Sequence, residues 1–393
     1  MYDVHSVRKD FPVVESLIYL DNAATTQTPL PAVDAMIEYF TSYAGNHGRG
    51  AHRLARQTTD HYEDARETVA HFLNVEEDHT IFTKNATESI NMVSHGMKWT
   101  EGDHVITTLV EHHSNLLPWL RLREQGVEIT VIKPDNEGNI ESRQFEDVIQ
   151  DRTRLLAINH VSNVFGSERD IKRITRMAHN SGALALVDGS QSAGHMPVDV
   201  KDIGCDFFVT PGHKGLLGPQ GTGVLCVSDP ELIEPTYIGG GAVHTVTATG
   251  FELEPSPGRF EAGTPNIPGV IGLGRAVEYV QAIGVSDIDA HEKELARDAA
   301  RRLSDIDGVQ VYGPEKRTSV VPFNVEGMDP HDVAMILDET KGICVRSGYH
   351  CAMPGITHMG LEGTVRASFA LYNTADEVTM LVDSVAQVAS LLM

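Results

Sequence analysis

The sequence is poor in cysteine, in long apolar runs and in basic residues. Its four cysteines form no C-x-x-C pair and no His-Cys set at zinc spacing, which argues against both a disulfide framework and a structural metal site. Residues 1–16 mix charges and have no long apolar core, so we expect neither a signal peptide nor a membrane-spanning helix. These absences predict a protein of the reducing cytoplasm.

The shortage of basic residues gives the chain a strong negative charge. Lys and Arg total 31 against 55 Asp and Glu, so the formal net charge is −24. Such a surface repels phosphate backbones and anionic headgroups, and we therefore expect no nucleic-acid or membrane partner. A protein held in a very salty cytoplasm would carry the same acidity, because salt screens the self-repulsion of the folded state. This gives the hypothesis that salt stabilises the fold.

Length and hydrophobic pattern indicate two domains of α/β type. The chain has 393 residues, enough for two or three domains of ordinary size. From residue 79, short β-rich runs alternate with helical stretches, which predicts a mainly parallel sheet. Beyond about residue 270 the order becomes helix, strand, strand, helix, strand, which predicts a smaller α+β domain. The predicted boundaries are 16–270 for the large domain, and 271–393 with 1–15 for the small one.

Two helical stretches near the start have apolar residues at helical spacing. Both are predicted to face the core. Their apolar positions are Val33, Met36, Ile37 and Phe40 in the first, which follows Pro31, and Tyr62, Ala65, Val69 and Phe72 in the second. Farther along, Asp329 and Pro330 have the pattern of a helix cap and a first-turn residue.

Polar residues follow four of the predicted strands, where ligands of open parallel sheets bind. Residues 83–88 (TKNATE) enter a helix, and this turn suits either an anion or a simple helix cap. Residues 111–115 (EHHSN) and 160–163 (HVSN) could be buried polar clusters. Residues 188–191 (DGSQ) place a carboxylate at a central strand, where burial favours its protonation unless a cation pairs with it.

The next segment places a lysine in a glycine-rich loop. Lys214 lies within residues 210–223 (TPGHKGLLGPQGTG), and it could be a solvated loop residue or a buried nucleophilic amine. A phosphate cradle, a buried carboxylate, stacking histidines and this lysine together favour one ligand. That ligand is a phosphorylated heteroaromatic aldehyde with a basic ring nitrogen, pyridoxal 5′-phosphate.

Several motifs resemble those of the class V aminotransferases, which are pyridoxal-phosphate enzymes of fold type I. They include residues 21–26 (DNAATT), 111–115, 160–163, 188–191, 212–214 (GHK) and 259–266 (RFEAGTPN). Within that class, residues 346–354 (RSGYHCAMP) and 366–373 (RASFALYN) are similar to the SUF-type cysteine desulfurases. The resemblance covers nearly the whole chain. It implies a large domain with a mainly parallel seven-stranded sheet and a smaller α+β domain that carries the catalytic cysteine.

The resemblance also implies a role for each site residue. Catalysis is expected of Lys214, which holds the cofactor and moves the Cα proton, and of Cys351, which attacks the substrate sulfur. His112 is expected to stack on the ring and to act as an acid or base near the leaving sulfur. Arg366 and Asn163 are expected to bind the substrate, with Arg366 gripping its carboxylate. The expected cofactor-binding residues are Ala86, Thr87, His112, Asn163, Asp188, Gln191, Thr210, His213, Lys214 and, across a dimer interface, Thr264. Apolar surroundings mark Cys205, Cys226 and Cys344 as inert core cysteines.

Some positions depart from the family pattern. Pro211 stands where many relatives have Ser, so Thr210 must supply the hydroxyl for the phosphate or the hydroxyl is missing. Gly48 stands where a histidine is common, and no catalytic role is assigned to the neighbouring His47 or His52. Tyr349 stands where another histidine often precedes the catalytic loop, which leaves the activation of Cys351 open.

The resemblance predicts a homodimeric cysteine desulfurase. It would convert L-cysteine to L-alanine and hold the sulfur as a Cys351 persulfide for an acceptor protein of a SUF-type system, in iron–sulfur cluster assembly or another thiolation pathway. The alternatives are a selenocysteine lyase acting on L-selenocysteine, another class V enzyme such as a transaminase, and a non-catalytic sulfur-transfer scaffold.

Overall fold

A seven-stranded sheet is the centre of the fold in the computed structural model, which describes residues 2–391. The strands are β1 (Ile18–Tyr19), β2 (Thr80–Thr83), β3 (His104–Thr108), β4 (Glu128–Ile132), β5 (Thr153–Asn159), β6 (Leu184–Asp188), β7 (Phe207–Pro211), β8 (Gly223–Val227), β9 (Val243–Val246), β10 (Phe251–Leu253), β11 (Val309–Val311), β12 (Val320–Val325), β13 (Ile343–Cys344), β14 (Arg346–Gly348) and β15 (Thr364–Ser368). The seven-stranded sheet has the order β2-β8-β7-β6-β5-β3-β4. Strand β8 runs antiparallel to β2 and β7, and the other neighbouring pairs of this sheet are parallel.

Helices cover both faces of this sheet and continue into the C-terminal part. They are α1 (Val4–Arg8), α2 (Leu30–Glu38), α3 (Arg53–Leu73), α4 (Ala86–Gly96), α5 (Leu117–Arg121), α6 (Arg143–Glu146), α7 (Ile171–Asn180), α8 (Val200–Ile203), α9 (Ile267–Ile283), α10 (Val285–Ser304), α11 (Pro330–Lys341), α12 (Met353–His358) and α13 (Ala375–Ser390). The fold type I architecture predicted from the sequence is confirmed, with its mainly parallel sheet and smaller second unit.

Strand residues alternate between two apolar cores because successive side chains of a strand point to opposite faces. Phe208 belongs to the core on one face, with Leu156. Phe207 belongs to the core on the other face, with Leu155 and Leu186. Every residue of β7 is buried, which explains why the central strands appear in the sequence as nearly continuous apolar runs.

The C-terminal unit contains a four-stranded antiparallel sheet of order β11-β12-β15-β14. Its core residues come from this sheet and from α10, α11 and α13. Helix α11 begins as expected, with Asp329 accepting a hydrogen bond from the His331 amide and Pro330 at its first position. Strand β1 pairs in parallel with β13, so the chain just before the large sheet is tied to this second unit.

Helix α9 runs unbroken through the predicted boundary at residue 270 and packs against α2 and α3. Phe11 of the N-terminal segment and Val280 of α9 form a separate core cluster with Ala32 and Leu217, which lie in the predicted large domain. The segments on either side of the predicted boundary therefore share a core, and the domain limits remain a prediction.

The prediction that α2 buries its apolar stripe is wrong in part. Ile37 and Phe40 are exposed, whereas Ala32 and Tyr39 are buried. At the contact with α9, Met36 lies against Gly272, where an added Cβ atom would lie 2.8 Å from Met36 Cγ. The stripe from residue 62 does pack inward, because Tyr62, Ala65 and Val69 are buried. Among residues 2–391, no helix is both long and apolar enough to span a bilayer.

Candidate active site

One cavity at the carboxyl edge of the large sheet collects the polar residues that follow the strands. Its volume is about 240 Å³. The predicted site residues that line it are Ala86, Thr87, His112, Asn163, Asp188, Gln191, His213, Lys214, Cys351 and Arg366. The carboxyl ends of parallel strands meet at one edge, and this is why segments far apart in sequence converge here. A wider cleft of about 940 Å³ elsewhere includes neither Lys214 nor Cys351 in its lining.

The loop that carries Lys214 packs so closely that it requires glycine. A Cβ atom at Gly215 would lie 2.3 Å from the carbonyl oxygen of Ala193, and one at Gly212 would lie 2.1 Å from Thr222 Oγ1. The Lys214 carbonyl accepts a hydrogen bond from Thr26 Oγ1 at 2.8 Å. Burial lowers the pKa of the Lys214 amine to about 8, although Asp188 opposes the shift. A substantial fraction of this amine is therefore neutral near physiological pH.

Asp188 ends the central strand β6 and is buried at the cavity. Its Oδ1 accepts the Ser190 amide at 2.9 Å. Burial raises the pKa of this carboxyl, while Ser190 and the nearby Lys214 amine act in the opposite direction. The next polar residue, Gln191, donates from Nε2 to the Ala23 carbonyl at 2.8 Å. A carboxylate buried at this position is suited to form an ion pair with a protonated ring nitrogen.

His112 follows β3 and presents an uncharged ring. Its Nδ1 accepts the Ser114 amide at 3.1 Å, which fixes the ring in place. Burial lowers the pKa of His112 to about 3, with further lowering by Lys214, His113 and Arg366. At neutral pH the His112 ring is therefore uncharged and can stack on another ring. It is only a weak base.

The amino terminus of α4 lies at the cavity. Asn85 caps this helix by accepting the Glu88 amide at 2.9 Å, and Ala86 and Thr87 form the first turn. The first amides of a helix have no partner within it, so they favour a negatively charged ligand. His213 borders the cavity, and burial lowers its pKa to about 4.

Cys351 is exposed and lies on the loop between β14 and α12. His350 and Cys351 both have left-handed backbone conformations, with φ of 49° and 55°, which are costly for residues other than glycine. Two backbone carbonyls of this loop accept hydrogen bonds from the large domain. The Asn163 side-chain amide donates to the His350 carbonyl at 2.8 Å, and the His113 amide donates to the Cys351 carbonyl at 2.6 Å. The thiol is thus presented at the cavity by a constrained loop.

Arg366 enters the cavity from β15. Its guanidinium donates to the Asn163 carbonyl at 2.9 Å and to Asp21 Oδ1 at 3.0 Å. Burial lowers the pKa of Arg366, and Asp21 opposes the shift. Arginine remains charged even so, and its planar fork is suited to a carboxylate.

Buried polar atoms of the lining residues have no hydrogen-bond partner within residues 2–391. They are Asn159 Oδ1, Asn163 Oδ1, His350 Nδ1 and Arg366 Nε. Buried polar groups are normally paired, so these atoms indicate that the cavity accommodates a polar ligand. Together with Asp188, Lys214 and the α4 terminus, they fit pyridoxal 5′-phosphate.

A family model and several relatives match nearly the whole of this chain. The model described as "Aminotransferase class-V" matches residues 18–381. The chain belongs to the class V aminotransferase family. A "Probable cysteine desulfurase" of Methanothermobacter thermautotrophicus is 48% identical over 391 residues, with 98% of each chain covered. A "Cysteine desulfurase" of Synechococcus elongatus is 40% identical over 403 residues, which cover 98% of this chain and 64% of the relative.

Solved structures agree with this placement in the class V family. The apo structure of a cysteine desulfurase from Thermococcus onnurineus has a TM-score of 0.96 and 42% identity, and the match covers 99% of both chains. A cysteine desulfurase from Escherichia coli has a TM-score of 0.93 and 35% identity, with both chains covered completely. The predicted family and its cofactor, pyridoxal 5′-phosphate, are confirmed.

Thr210 and Thr264 are the predicted site residues that do not line the cavity. Thr210 is buried and donates to the Pro211 carbonyl at 3.4 Å. Thr264 lies in another cleft, of about 940 Å³, beside the exposed Tyr237 and Ile238. Its predicted action across a dimer interface remains a prediction.

Sequence reasoning gave no role to several residues that line or border the site, namely Asp21, His113, Asn159, Arg346 and His350. Asp21 follows the short strand β1, and the rule that polar residues at strand ends approach ligands could have singled it out.

Proposed function

We propose that this class V enzyme is a cysteine desulfurase dependent on pyridoxal 5′-phosphate. It converts L-cysteine to L-alanine and holds the sulfur as a persulfide on Cys351. The observation that carries the proposal is the presence of an accessible thiol, a buried lysine amine and a buried guanidinium in one cavity. The thiol suits sulfur transfer, since transamination requires no cysteine at this position.

The cofactor would be held covalently by Lys214, paired through its ring nitrogen with Asp188 and bound through its phosphate at the start of α4. When bound, it supplies an electron-withdrawing ring that acidifies the Cα–H of the substrate. The Lys214 amine, with its pKa lowered to about 8, is suited to accept that proton and to return it to the product. His112 covers one face of the ring and remains neutral at physiological pH.

Arg366 and Cys351 act on opposite ends of the substrate. The guanidinium of Arg366 binds the α-carboxylate. This contact anchors the substrate and so fixes the position of the reacting sulfur in the cavity. The Cys351 thiolate attacks the substrate sulfur, so that an S–S bond forms as the C–S bond breaks, and the electron pair of the C–S bond remains with the alanine fragment. The exposure of Cys351 then leaves the persulfide accessible to an acceptor.

We further propose a homodimer that delivers sulfur to an acceptor protein of a SUF-type system, for iron–sulfur cluster assembly or another thiolation pathway in the cytoplasm. The cleft beside Thr264 supports the dimer, because exposed Tyr237 and Ile238 border it and apolar patches often mark protein interfaces. A measurement of mass in solution tests this proposal, and a monomer at micromolar concentration would contradict it.

Incubation of the holoenzyme with L-cysteine tests the proposed reaction. We expect alanine and, with a reductant present, an equal amount of sulfide, and mass analysis of the peptide that contains Cys351 should show one additional sulfur atom. Cys351→Ser should retain the visible absorption of the bound cofactor and lose sulfide formation. Lys214→Ala should lose that absorption, and the reverse pattern in the two variants would overturn both assignments.

The alternatives give different outcomes in the same experiment. Selenide release from L-selenocysteine that persists in Cys351→Ala, while sulfide release is lost, would indicate a selenocysteine lyase. Amino-group transfer to a keto acid without sulfide would indicate a transaminase. A protein that binds no cofactor would be a scaffold for sulfur transfer.

A further inference from the structure

A buried ion pair joins the C-terminal unit to the loop that follows Asp188. Glu292 lies on the apolar face of α10, four positions after Ile288 and four before Ala296, both of which are buried. Its Oε2 lies 2.9 Å from Nδ1 of His195, and the two side chains are 2% and 5% exposed. Neither residue is part of the lining of the active-site cavity.

The hydrogen bonds of this pair are incomplete. Burial raises the pKa of Glu292, and His195 opposes the shift. The other ring nitrogen of His195, Nε2, is buried without a partner among residues 2–391. A buried ion pair is on average no more stabilising than apolar side chains of the same volume, and an unpaired polar atom lowers its contribution further. Stability alone therefore explains this pair poorly.

The ring of His195 lies against the residue that follows Lys214. A Cβ atom at Gly215 would lie 2.6 Å from His195 Cδ2 and 2.9 Å from the His195 backbone nitrogen. A Cβ atom at Gly194 would lie 2.1 Å from the Gly215 carbonyl oxygen. The two loops thus touch backbone to backbone, with no flexible side chain between them to absorb a displacement.

The same two loops carry groups that meet in the cavity. The first loop follows Asp188, and the second carries Lys214. The Lys214 amine is buried near the Asp188 carboxylate, which opposes the lowering of the lysine pKa by burial. Movement of one loop against the other would therefore change both the burial of the amine and its distance from the carboxylate.

We propose that His195 and Glu292 are positioning residues for Lys214. The pair fixes the loop of residues 189–196 to α10, and this loop holds Gly215 in place. The contact sets the depth of the lysine amine in the cavity, so both residues act through the loop. The inference rests on the proposed function, because it takes Lys214 as the residue that holds the cofactor.

The pH at which the Lys214 amine loses its proton measures this depth without the cofactor. Full-length apo protein is labelled briefly with acetic anhydride at a series of pH values, with free phenylalanine as an internal standard. Mass analysis of the peptide that contains Lys214 gives the labelled fraction. The midpoint of the curve reports the protonation of the amine, whereas its plateau reports access. For wild type we expect a midpoint at about pH 8.

Glu292→Met keeps a side chain of similar length and removes the hydrogen bond to His195. We expect the Lys214 midpoint to rise by about one pH unit, because a loosened loop admits water to the amine. Direct loss of the Glu292 charge would instead lower the midpoint, so the sign separates the two effects.

Two further variants examine each partner of the pair. His195→Gln removes the ring beside Gly215 and retains a polar partner for Glu292, and it should raise the Lys214 midpoint as Glu292→Met does. Glu292→Gln also removes the charge but retains a hydrogen-bonding group, and it should restore the wild-type midpoint.

Glu377→Met is the matched control, since Glu377 is a buried carboxylate of α13 that pairs with Arg8. It should leave the Lys214 midpoint unchanged. An unchanged or lowered midpoint in both Glu292→Met and His195→Gln would overturn the positioning role, as would an equal rise in Glu377→Met. If pyridoxal 5′-phosphate binds wild type without protecting Lys214 from the label, the proposed function is overturned instead.

Discussion

His113 holds the Cys351 loop with both its backbone and its ring. Its amide donates to the Cys351 carbonyl at 2.6 Å, and its Nε2 accepts the Met353 amide at 3.2 Å. Burial lowers the pKa of His113, which keeps Nε2 available as an acceptor at neutral pH. Because His112 precedes it, the residue that covers the cofactor ring and the one that fixes the thiol loop are adjacent in sequence.

We expect His113→Ala to slow sulfide formation about fivefold, the effect of one lost hydrogen bond of about 1 kcal/mol. Cofactor binding should be unchanged, because His112 and Lys214 remain. Steady-state kinetics and cofactor titration measure the two properties. His113→Gln, which keeps a side-chain acceptor, should recover part of the rate, and an alanine variant with the wild-type rate would show that the ring contact is dispensable.

His160 predicts a pH dependence of stability. It follows β5, and its Nδ1 is buried without a partner among the described residues. Burial lowers its pKa from 6.5 to about 4. Between these two pH values the His160 ring is mostly protonated in the unfolded chain and mostly neutral in the folded chain. The stabilising contribution of the neutral ring is therefore complete above pH 6.5 and is lost as the pH falls towards 4.

A comparison with His160→Gln isolates this effect from other titrating groups. Between pH 7 and pH 4, wild type should lose about 3 kcal/mol more unfolding free energy than the variant. Urea unfolding at a series of pH values measures the difference. Parallel stability curves for the two proteins would show that His160 does not titrate as described.

Sequence reasoning identified the residues of the site better than the contacts between them. Lys214, Asp188 and Cys351 stand in recognisable motifs, and the cavity brings them together. The contact between Asp21 and Arg366 joins residues 345 positions apart, and no local pattern encodes such a pairing. The anchoring of the thiol loop by His113 is equally invisible in sequence, since it depends on how two separate loops meet.

Among the elements, strands were more predictable than helix faces. Inner strands of the large sheet, such as β3 and β7, are buried on both sides, and this produces the apolar runs from which they were predicted. The face of α2 was mispredicted because a periodic stripe shows which side of a helix is apolar and not what covers it. The predicted limit at residue 270 falls inside α9, where the pattern changes in sequence without a break in the helix.

The last helix, α13, offers a test of element stability away from the site. Thr374 accepts the Glu377 amide at 3.3 Å, and Glu377 Oε2 accepts the Thr374 amide at 3.0 Å, which together form a capping box. Glu377 also pairs with Arg8 at 2.8 Å and so ties the N-terminal helix to α13.

Thr374→Ala should lower the unfolding free energy by about 1 kcal/mol, because it leaves a helix amide without its acceptor. Thr374→Ser keeps the hydroxyl and should retain most of the stability. Denaturant unfolding measures both, and the KM for L-cysteine should not change in either variant. Equal losses in the two variants would assign the effect to the methyl group and not to the cap.

At the scale of the whole molecule, the net charge of −24 makes stability dependent on salt. Like charges repel over roughly 10 Å at 0.1 M salt and over roughly 3 Å at 1 M, so added salt removes a cost that the compact state bears more than the unfolded one. Many surface carboxylates do have basic partners, such as Asp202 with Lys172, but the excess of acidic residues cannot be paired within the chain.

We expect the thermal unfolding midpoint to rise by about 5 °C between 0.1 M and 2 M KCl. A separate series with potassium sulfate at equal ionic strength distinguishes screening from the exclusion of sulfate from the protein surface. Screening predicts equal gains in the two salts, with most of the rise complete by about 1 M, where the screening length is already short. A midpoint that stays constant or falls in KCl would contradict this expectation. It would show that the attraction within surface ion pairs, which salt also screens, contributes more to stability than the repulsion among unpaired carboxylates costs.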